Sequence, residues 1–515
     1  MRTIGLKHCV GAIALAFGVF TAPLAMASKD VTVAVAITLD SLDPYNTQST
    51  LAQAVAKSYY EGLLTFDKDL KVKPWLATSY TASPDGLTYT FKLRHDVKFQ
   101  DGTDFNADAV KANFDRAIDK ANGLARYSQF SEIKQVDVID PYTVKITLNK
   151  PFSSFINALA HPSAAMICPD SLKKWGKDIT FHPCGTGPFE FVEWKPAEYL
   201  KVKKFPGYWR KGYPKIDTLT FRTVSDNNTR ATVMQTGEAQ FAFPVPFEDA
   251  PVLKANPKLE LTASPSITMR YVSMNVQQKP FNDVRVREAL NYAINKEALA
   301  KVAFGGYSTP APGVVPMGDA FAEKMTPWPY DPAKARELLK EAGYPDGFST
   351  TLMTAYNDGT TAKVAQFLQQ QLAQVGVKAS IQLLEAGQRV QLIQQAPDPK
   401  TAPVRMYYSG WSASTGEADW ALRPLLVKDA FPPVLYNTAY YSNPAVDKDV
   451  SDALLTTDPA KRTQLYADAQ NRVWKDAPWI FLTNDRNLSV QSKNLTGFYV
   501  MPDQSFNFTD VDLKQ

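Results

Sequence analysis

Histidine, cysteine and net charge are all scarce in this chain of 515 residues. It contains four histidines and three cysteines, and its formal charge is only +4. So small a positive surplus argues against nucleic acid as a partner, because nucleic-acid-binding proteins present a strongly basic surface. Few histidines and cysteines also leave few ligands for a structural zinc ion.

The chain also lacks the sequence patterns of common catalytic sites. There is no HExxH pair, no phosphate-binding GxxxxGK[ST] loop and no GxGxxG after a strand. The segments GYSTP at 306–310 and GWSAS at 410–414 lack the second glycine of a nucleophile elbow. We therefore predict that the protein is not an enzyme, has no resident metal and needs no cofactor. A secreted hydrolase is the alternative from another functional class.

The one long apolar run is at the N-terminus. A short basic segment ends at Lys7, apolar residues fill 10–20, and Ala25 and Ala27 supply the small residues of a cleavage site. This is the pattern of a secretory signal peptide. The apolar run is shorter than the ~20 residues that span a bilayer. We predict that residues 1–27 are removed on export.

Export would leave two cysteines, Cys168 and Cys184, in an oxidising compartment. A disulfide that closes a short loop is the simplest expectation. The alternative is a metal site that these cysteines form with His161 and His182, although the spacing matches no compact zinc pattern.

Apolar periodicity predicts a chain that mixes strands and helices. Residues 31–37 read as a buried strand, 86–99 as a hairpin and 284–304 as one amphipathic helix. Between 349 and 411 the segments alternate strand, helix, strand, helix, strand, which predicts an α/β lobe. A chain of this length exceeds what one core usually supports, so we expect two or more lobes.

A series of long motifs occurs in order along the chain after residue 27. The longest is LATSYTASPDGLTYTFKLRHDVKFQDGTDFNADAVK at 76–111. The others are SLDPYN (41–46), YEGLLTFD (60–67), GTGPFEF (185–191), GYW (207–209), MNVQQKPFNDVRVREALNYAIN (274–295), PYDPAKARELLKEAGYPDGF (329–348) and GWSASTGEADW (410–420). Together they resemble the bacterial extracellular solute-binding proteins of family 5, which are the peptide, nickel and glutathione receptors of ABC importers.

This resemblance implies an α/β, two-lobed periplasmic-binding-protein fold (type II, cluster C) with an extra small α+β domain. We expect lobe I to comprise 28–61, 185–274 and 487–515, the small domain 62–184, and lobe II 275–486. Ligand would lie in the cleft, and the lobes would close around it by hinge motion. The protein would be a periplasmic monomer that delivers its ligand to inner-membrane ABC permease subunits.

The run GWSASTGEADWALRPL at 410–425 resembles the glutathione-binding members of the family. Relatives that bind α-linked dipeptides place an aspartate three residues after the tryptophan, where this chain has Ser414. Their carboxylate-binding arginine aligns near Ala355. We therefore expect glutathione as the ligand, and receptors for other short peptides, nickel or haem are the alternatives.

Glutathione carries two carboxylates and one ammonium, and arginine suits a carboxylate because its planar fork makes two parallel hydrogen bonds. The predicted ligand contacts are Asn46, Gln48, Ser49, Thr50, Arg126, Arg270, Arg389, Trp411, Ser412, Ser414, Glu417 and Asp419. Glu417 and Asp419 would accept the ammonium. Ser49 and Thr50 could instead cap a helix, and Arg405 is a further candidate with a solvated role as its alternative.

Overall fold

The computed structural model of the protein describes residues 28–47 and 49–514. The predicted signal peptide and the predicted ligand contact Gln48 lie outside these ranges. Within them, no helix has both the length and the apolar character needed to cross a membrane.

One mixed sheet of eleven strands runs through the molecule and connects two lobes. In spatial order its strands are Val377–Leu383, Phe348–Thr354, Met406–Ser412, Leu259–Met274, Trp479–Ser492, Phe241–Phe243, Asp30–Val35, Thr218–Thr223, Tyr199–Lys204 and Phe189–Lys195, and Ser308–Pro310 pairs beside Trp479–Ser492. Its first three strands belong to the second lobe and its last five to the first.

Two long antiparallel strands, Leu259–Met274 and Trp479–Ser492, pass from one lobe to the other. At one end Leu488 packs into the first-lobe core, whereas at the other end Val272 and Ile480 pack into a core of the second lobe. The ladder between the strands is interrupted after Pro265. The two lobes are thus joined by two crossing segments, and the cleft lies beside them.

The predicted alternation in the second lobe is confirmed. Its elements are Phe348–Thr354, Gly359–Ala373, Val377–Leu383, Ala386–Arg389 and Met406–Ser412, with parallel pairing of the strands. The remaining helices of this lobe are Val284–Tyr292, Lys296–Phe304, Pro332–Glu341, Asp419–Leu426, Pro444–Leu455 and Pro459–Asp476. The first lobe has the helices Thr50–Ala56, Asn227–Thr236 and Ala250–Ala255.

The prediction of a single helix over 284–304 is wrong, because this segment forms two helices. Asn295 lies between them with extended backbone, and its side-chain oxygen accepts a hydrogen bond from the Ala298 backbone N–H. An asparagine in that role begins a new helix even where the apolar periodicity continues across it.

A separate four-stranded antiparallel sheet and the helices packed on it lie within the predicted small domain. Its strands are Ala77–Ala82, Thr88–Leu93, Thr143–Leu148 and Ile133–Asp140, and its helices are Ala107–Ile118, Tyr127–Phe130, Phe155–Ala160 and Pro169–Trp175. The predicted hairpin at 86–99 is wrong, because this segment contains one strand whose hairpin partner precedes the turn. Three further two-stranded ladders pair Leu64–Phe66 with Val72–Pro74, Leu495–Thr496 with Asp512–Leu513, and Tyr499–Val500 with Phe506–Asn507.

Cys168 and Cys184 form a disulfide in the small domain, with their Cα atoms 5.4 Å apart. Both side chains are buried. The bond removes the two thiolates that the alternative metal site would need, and His182 stacks on Trp175 instead.

Candidate functional site

A cavity of about 340 Å³ opens where the small domain and the first lobe face the second lobe. Its volume falls within the ~300–1,000 Å³ of small-molecule sites. Seven of the predicted contacts line it: Thr50, Arg126, Arg270, Arg389, Trp411, Ser412 and Ser414. The structure therefore brings together residues that lie up to 364 positions apart in the chain.

Arg126 reaches the cavity from the small domain. Its backbone N–H donates to the Tyr45 carbonyl and its Nε donates to the Thr47 carbonyl at 2.9 Å, which ties the side chain to the first lobe. Burial lowers the pKa of Arg126 to about 10, and the charge of nearby Asp40 opposes this shift. Arg126 thus stays protonated near neutral pH. It forms no ion pair with a carboxylate among the described residues, although the Asp40 charge acts on it at longer range.

Arg270 lies on one of the crossing strands and has an internal counter-ion. Its Nε donates to Asp485 Oδ2 at 2.8 Å. Burial lowers the pKa of Arg270, but the Asp485 carboxylate together with the nearby Tyr408 and Tyr356 outweighs burial, and the net shift is upward. The second oxygen, Asp485 Oδ1, is buried without a hydrogen-bond partner in the described structure. Much of the charge of Arg270 is therefore already balanced within the protein.

Arg389 approaches the cavity from the second lobe. It ends the short helix Ala386–Arg389, which continues into a π-helical turn at Val390–Gln394. Its Nη1 donates to the Ala355 carbonyl at 2.9 Å, whereas its buried Nε has no partner in the described structure. Like Arg126, it forms no ion pair with any described carboxylate.

No aspartate or glutamate is found among the described residues that line the cavity, whereas three arginines are. Of the three, only Arg270 forms an ion pair within the described ranges. An arginine without a contacting carboxylate can pair with an anionic group of a ligand, so the cavity is suited to a ligand that brings negative charge.

Aromatic side chains form much of the cavity wall, as predicted for Trp411. The Trp411 indole is half-buried, donates from Nε1 to the Trp420 carbonyl at 2.6 Å and packs against Tyr436 with ring centroids 5.4 Å apart. Tyr356 and Tyr407 also line the cavity. These rings offer a rigid apolar surface to the backbone and methylene groups of a ligand.

Two predicted serines lie on the same wall. Ser414 Oγ is 3.1 Å from Nε2 of His161, which belongs to the small domain. Ser412 Oγ is buried without a hydrogen-bond partner in the described structure, although it faces a polar cavity. An unpaired buried hydroxyl is unfavourable, so a ligand group could satisfy it.

Glu417 and Asp419 do not line the cavity, and their predicted role as ammonium acceptors is corrected. Both are buried, Glu417 with Arg462 at 2.8 Å and Asp419 with Arg423 at 2.8 Å. Burial raises the pKa of Glu417 to about 7, Arg462 opposes the rise and the charge of Asp419 adds to it. These acids balance charges inside the second lobe and are not available to a ligand.

Three other candidates also lie outside the cavity lining. Ser49 caps the helix Thr50–Ala56 by accepting from the Ala52 N–H, which is the alternative role expected for it. Asn46 is exposed and its side chain accepts from the Ala125 N–H at 3.3 Å. Arg405 contacts Gln278 and the Lys279 carbonyl instead of the cavity.

Sequence reasoning missed several cavity residues, among them Thr268, Tyr271, Tyr407, Ser409 and Gln504. Thr268 lies two residues before Arg270 on its strand, so alternation about that arginine was a usable signal for it. Tyr271 directly follows Arg270 at an irregularity in the ladder, which alternation does not predict. Gln504 had no such signal, because it comes from the C-terminal segment and donates to Thr268 Oγ1 at 3.2 Å.

Comparison with known proteins agrees with this architecture. The family model described as bacterial extracellular solute-binding proteins, family 5 Middle, matches residues 71–433. The glutathione-binding protein GsiB of Salmonella typhimurium is 59% identical over 505 residues, which are 98% of each chain. Its counterpart in Escherichia coli O157:H7 is 58% identical over 510 residues, covering 98% of this chain and 99% of that one.

A solved structure shares the fold. The periplasmic binding protein DppA of Helicobacter pylori, in complex with the peptide STSA, superposes with a TM-score of 0.80 at 28% identity and covers 93% of this chain and 98% of that one. The predicted α/β periplasmic-binding-protein fold is confirmed. The chain belongs to the bacterial extracellular solute-binding proteins of family 5.

Proposed function

We propose that this protein captures glutathione in the interlobe cleft and delivers it to the permease of an ABC importer. The observation that carries the proposal is the cavity lined by three arginines and, among the described residues, by no carboxylate. Glutathione has a net negative charge with two carboxylates, so it supplies the counter-ions that this cavity lacks. The relatives that are 58–59% identical along almost their whole length bear the name glutathione-binding protein, which supports this ligand over other solutes.

The remaining parts of the proposal concern where and how the protein acts. The N-terminal pattern ending at Ala27 supports export to the periplasm with removal of residues 1–27. We propose that the mature protein is a monomer that binds no nucleic acid and performs no catalysis. It would return its ligand unchanged to the inner-membrane permease subunits.

The experiment is calorimetric titration of the mature, ligand-stripped protein with reduced glutathione, oxidised glutathione and a plain dipeptide. We expect saturable binding of glutathione and weak or absent binding of the dipeptide. Binding of the dipeptide alone would favour the runner-up, a receptor for other short peptides. Recovery of hydrolysed glutathione after binding would contradict the absence of catalysis.

Matched variants locate the site. We expect Arg126→Gln to weaken glutathione binding by at least about tenfold, because a hydrogen bond to a charged group contributes ~1.5–3 kcal/mol. Arg405→Gln, which alters an arginine outside the cavity, serves as the control and should bind like the wild type. Equal affinities of both variants would place the ligand elsewhere.

A further inference from the structure

The two arginines that form no ion pair with a described carboxylate approach the cavity from opposite sides. Arg126 is anchored to the first lobe through the Tyr45 and Thr47 carbonyls. Arg389 is anchored within the second lobe, where its Nη1 donates to the Ala355 carbonyl. Its helix is one of the alternating strands and helices of that lobe. Both side chains line the cavity. A ligand that carries an anionic group toward each lobe can therefore pair with both.

Arg270 differs from this pair, because the Asp485 carboxylate already contacts it at 2.8 Å. It can donate to a ligand without requiring a further counter-ion. Of the three arginines, two therefore call for a negative charge from the ligand and one does not.

An ammonium group on the ligand finds no comparable partner among the described residues of the cavity. The buried acids behind this wall, Glu417 and Asp419, are held by Arg462 and Arg423. The described lining offers only neutral acceptors, such as the hydroxyls of Ser412 and Ser414, and aromatic faces. An ammonium can donate to these acceptors, but such a bond lacks the attraction of a full opposite charge.

We propose that the cavity selects its ligand by two carboxylates, one held by Arg126 of the small domain and one by Arg389 of the second lobe, and forms no ion pair with the ligand's amino group. This inference rests on the proposed function, because it takes glutathione as the ligand. It specifies which charged groups of glutathione the cavity binds through ion pairs. It also implies that one ligand carboxylate on each side of the cleft stabilises the closed arrangement of the lobes.

Three analogues of glutathione test the proposal by deleting one charge each. Glutaryl-cysteinyl-glycine lacks only the amino group, 4-aminobutyryl-cysteinyl-glycine lacks only the α-carboxylate, and γ-glutamyl-cysteinyl-glycinamide lacks only the glycyl carboxylate. Calorimetric dissociation constants are measured for each and for reduced glutathione with the mature protein at neutral pH. We expect loss of either carboxylate to weaken binding by about tenfold or more, and loss of the amine to weaken it less than either.

The same ligands assign each carboxylate to its arginine. In the Arg126→Gln variant, removing one of the two ligand carboxylates should no longer weaken binding further. In the Arg389→Gln variant, the same should hold for the other carboxylate. This non-additivity appears only if the deleted charge and the deleted arginine are partners. The variants' thermal unfolding is compared with the wild type's, so that loss of fold is recognised separately from loss of contact.

The outcomes separate this inference from the proposed function. If glutathione binds but removal of its amine weakens binding as much as removal of a carboxylate, the carboxylate-only selection is wrong and the receptor role stands. Equal sensitivity of both arginine variants to both carboxylate deletions would overturn the assignment of one carboxylate to each side. If glutathione itself fails to bind, the proposed function falls and this inference falls with it.

Discussion

His161 Nε2 and Ser414 Oγ lie 3.1 Å apart across the cleft and join the small domain to the second lobe at the cavity wall. Burial, with smaller contributions from the charges of Arg126 and Lys57, holds the pKa of His161 well below its usual value, so the ring is neutral. Asn157 strengthens the same junction by donating to the Thr415 carbonyl at 2.8 Å. The small domain therefore contacts the second lobe directly beside the cavity.

We expect Ser414→Ala to weaken glutathione binding by about two- to tenfold. The substitution removes a neutral hydrogen bond of ~0.5–1.5 kcal/mol between the two sides of the cleft. Calorimetric titration measures the loss, and Ser79→Ala, at an exposed position on the small-domain sheet, is the control. A Ser414→Ala protein with wild-type affinity would show that this contact does not contribute to the bound state.

Glu417 should make the free energy of unfolding depend on pH. Its folded-state pKa of about 7 lies above the ordinary value of 4.5, because burial outweighs the attraction of Arg462. The folded protein therefore binds this proton more tightly than the unfolded chain, and the associated stability is present below pH ~4.5 and lost as pH rises toward ~7. We expect the stability of the wild type relative to Glu417→Gln to fall by a few kcal/mol across this range.

Chemical denaturation of both proteins at pH 5, 6, 7 and 8 tests this dependence. The difference between them isolates Glu417, since other titrating groups are common to both. A constant difference across the series, or one of opposite sign, would mean that Arg462 fully compensates burial and that Glu417 stays ionised throughout.

Glu61 is expected to be a main determinant of stability in the first half of the chain. Its carboxylate accepts from Trp75 Nε1 at 2.7 Å, Thr186 Oγ1 at 3.0 Å, Tyr208 OH at 2.7 Å and Trp209 Nε1 at 3.0 Å. A carboxylate has only acceptors and can satisfy all four donors. The glutamine side chain has the same shape, but its NH₂ group would face at least one of these donors.

Glu61→Gln should therefore lower the free energy of unfolding by about 2–3 kcal/mol, as estimated for hydrogen bonds to a charged group. Denaturant titration measures this change, with Glu297→Gln at an exposed helix position as the matched control. Equal midpoints for the two variants would show that the cluster around Glu61 tolerates a neutral acceptor.

The disulfide should stabilise the small domain without affecting the affinity for the ligand. Cys168 and Cys184 are 16 residues apart, and closing a loop of this length contributes ~3 kcal/mol by chain entropy. We expect the double serine variant to unfold at lower denaturant and to bind glutathione like the wild type, because neither cysteine lines the cavity. Mass spectrometry of the native mature protein should detect no free thiol, and two free thiols would contradict the bond.

The family, the α/β character and much of the second lobe could be predicted from the sequence alone. The long ordered motifs and the strand-helix alternation between 349 and 411 are local patterns, and the alternation can be read from apolar periodicity. Trp411, Ser412 and Ser414 could be found from the sequence because they belong to one motif, on one strand and the loop after it.

The set of charges that line the cavity could be read only from the folded protein. Glu417 and Asp419 looked available in the sequence, but Arg462 and Arg423 neutralise them in the interior. No sequence pattern indicated that Arg270 pairs with Asp485, 215 residues later, while Arg126 and Arg389 form no ion pair in the described part of the chain. Ion pairing depends on distance in space and on burial, and neither quantity is set by the spacing of residues along the chain.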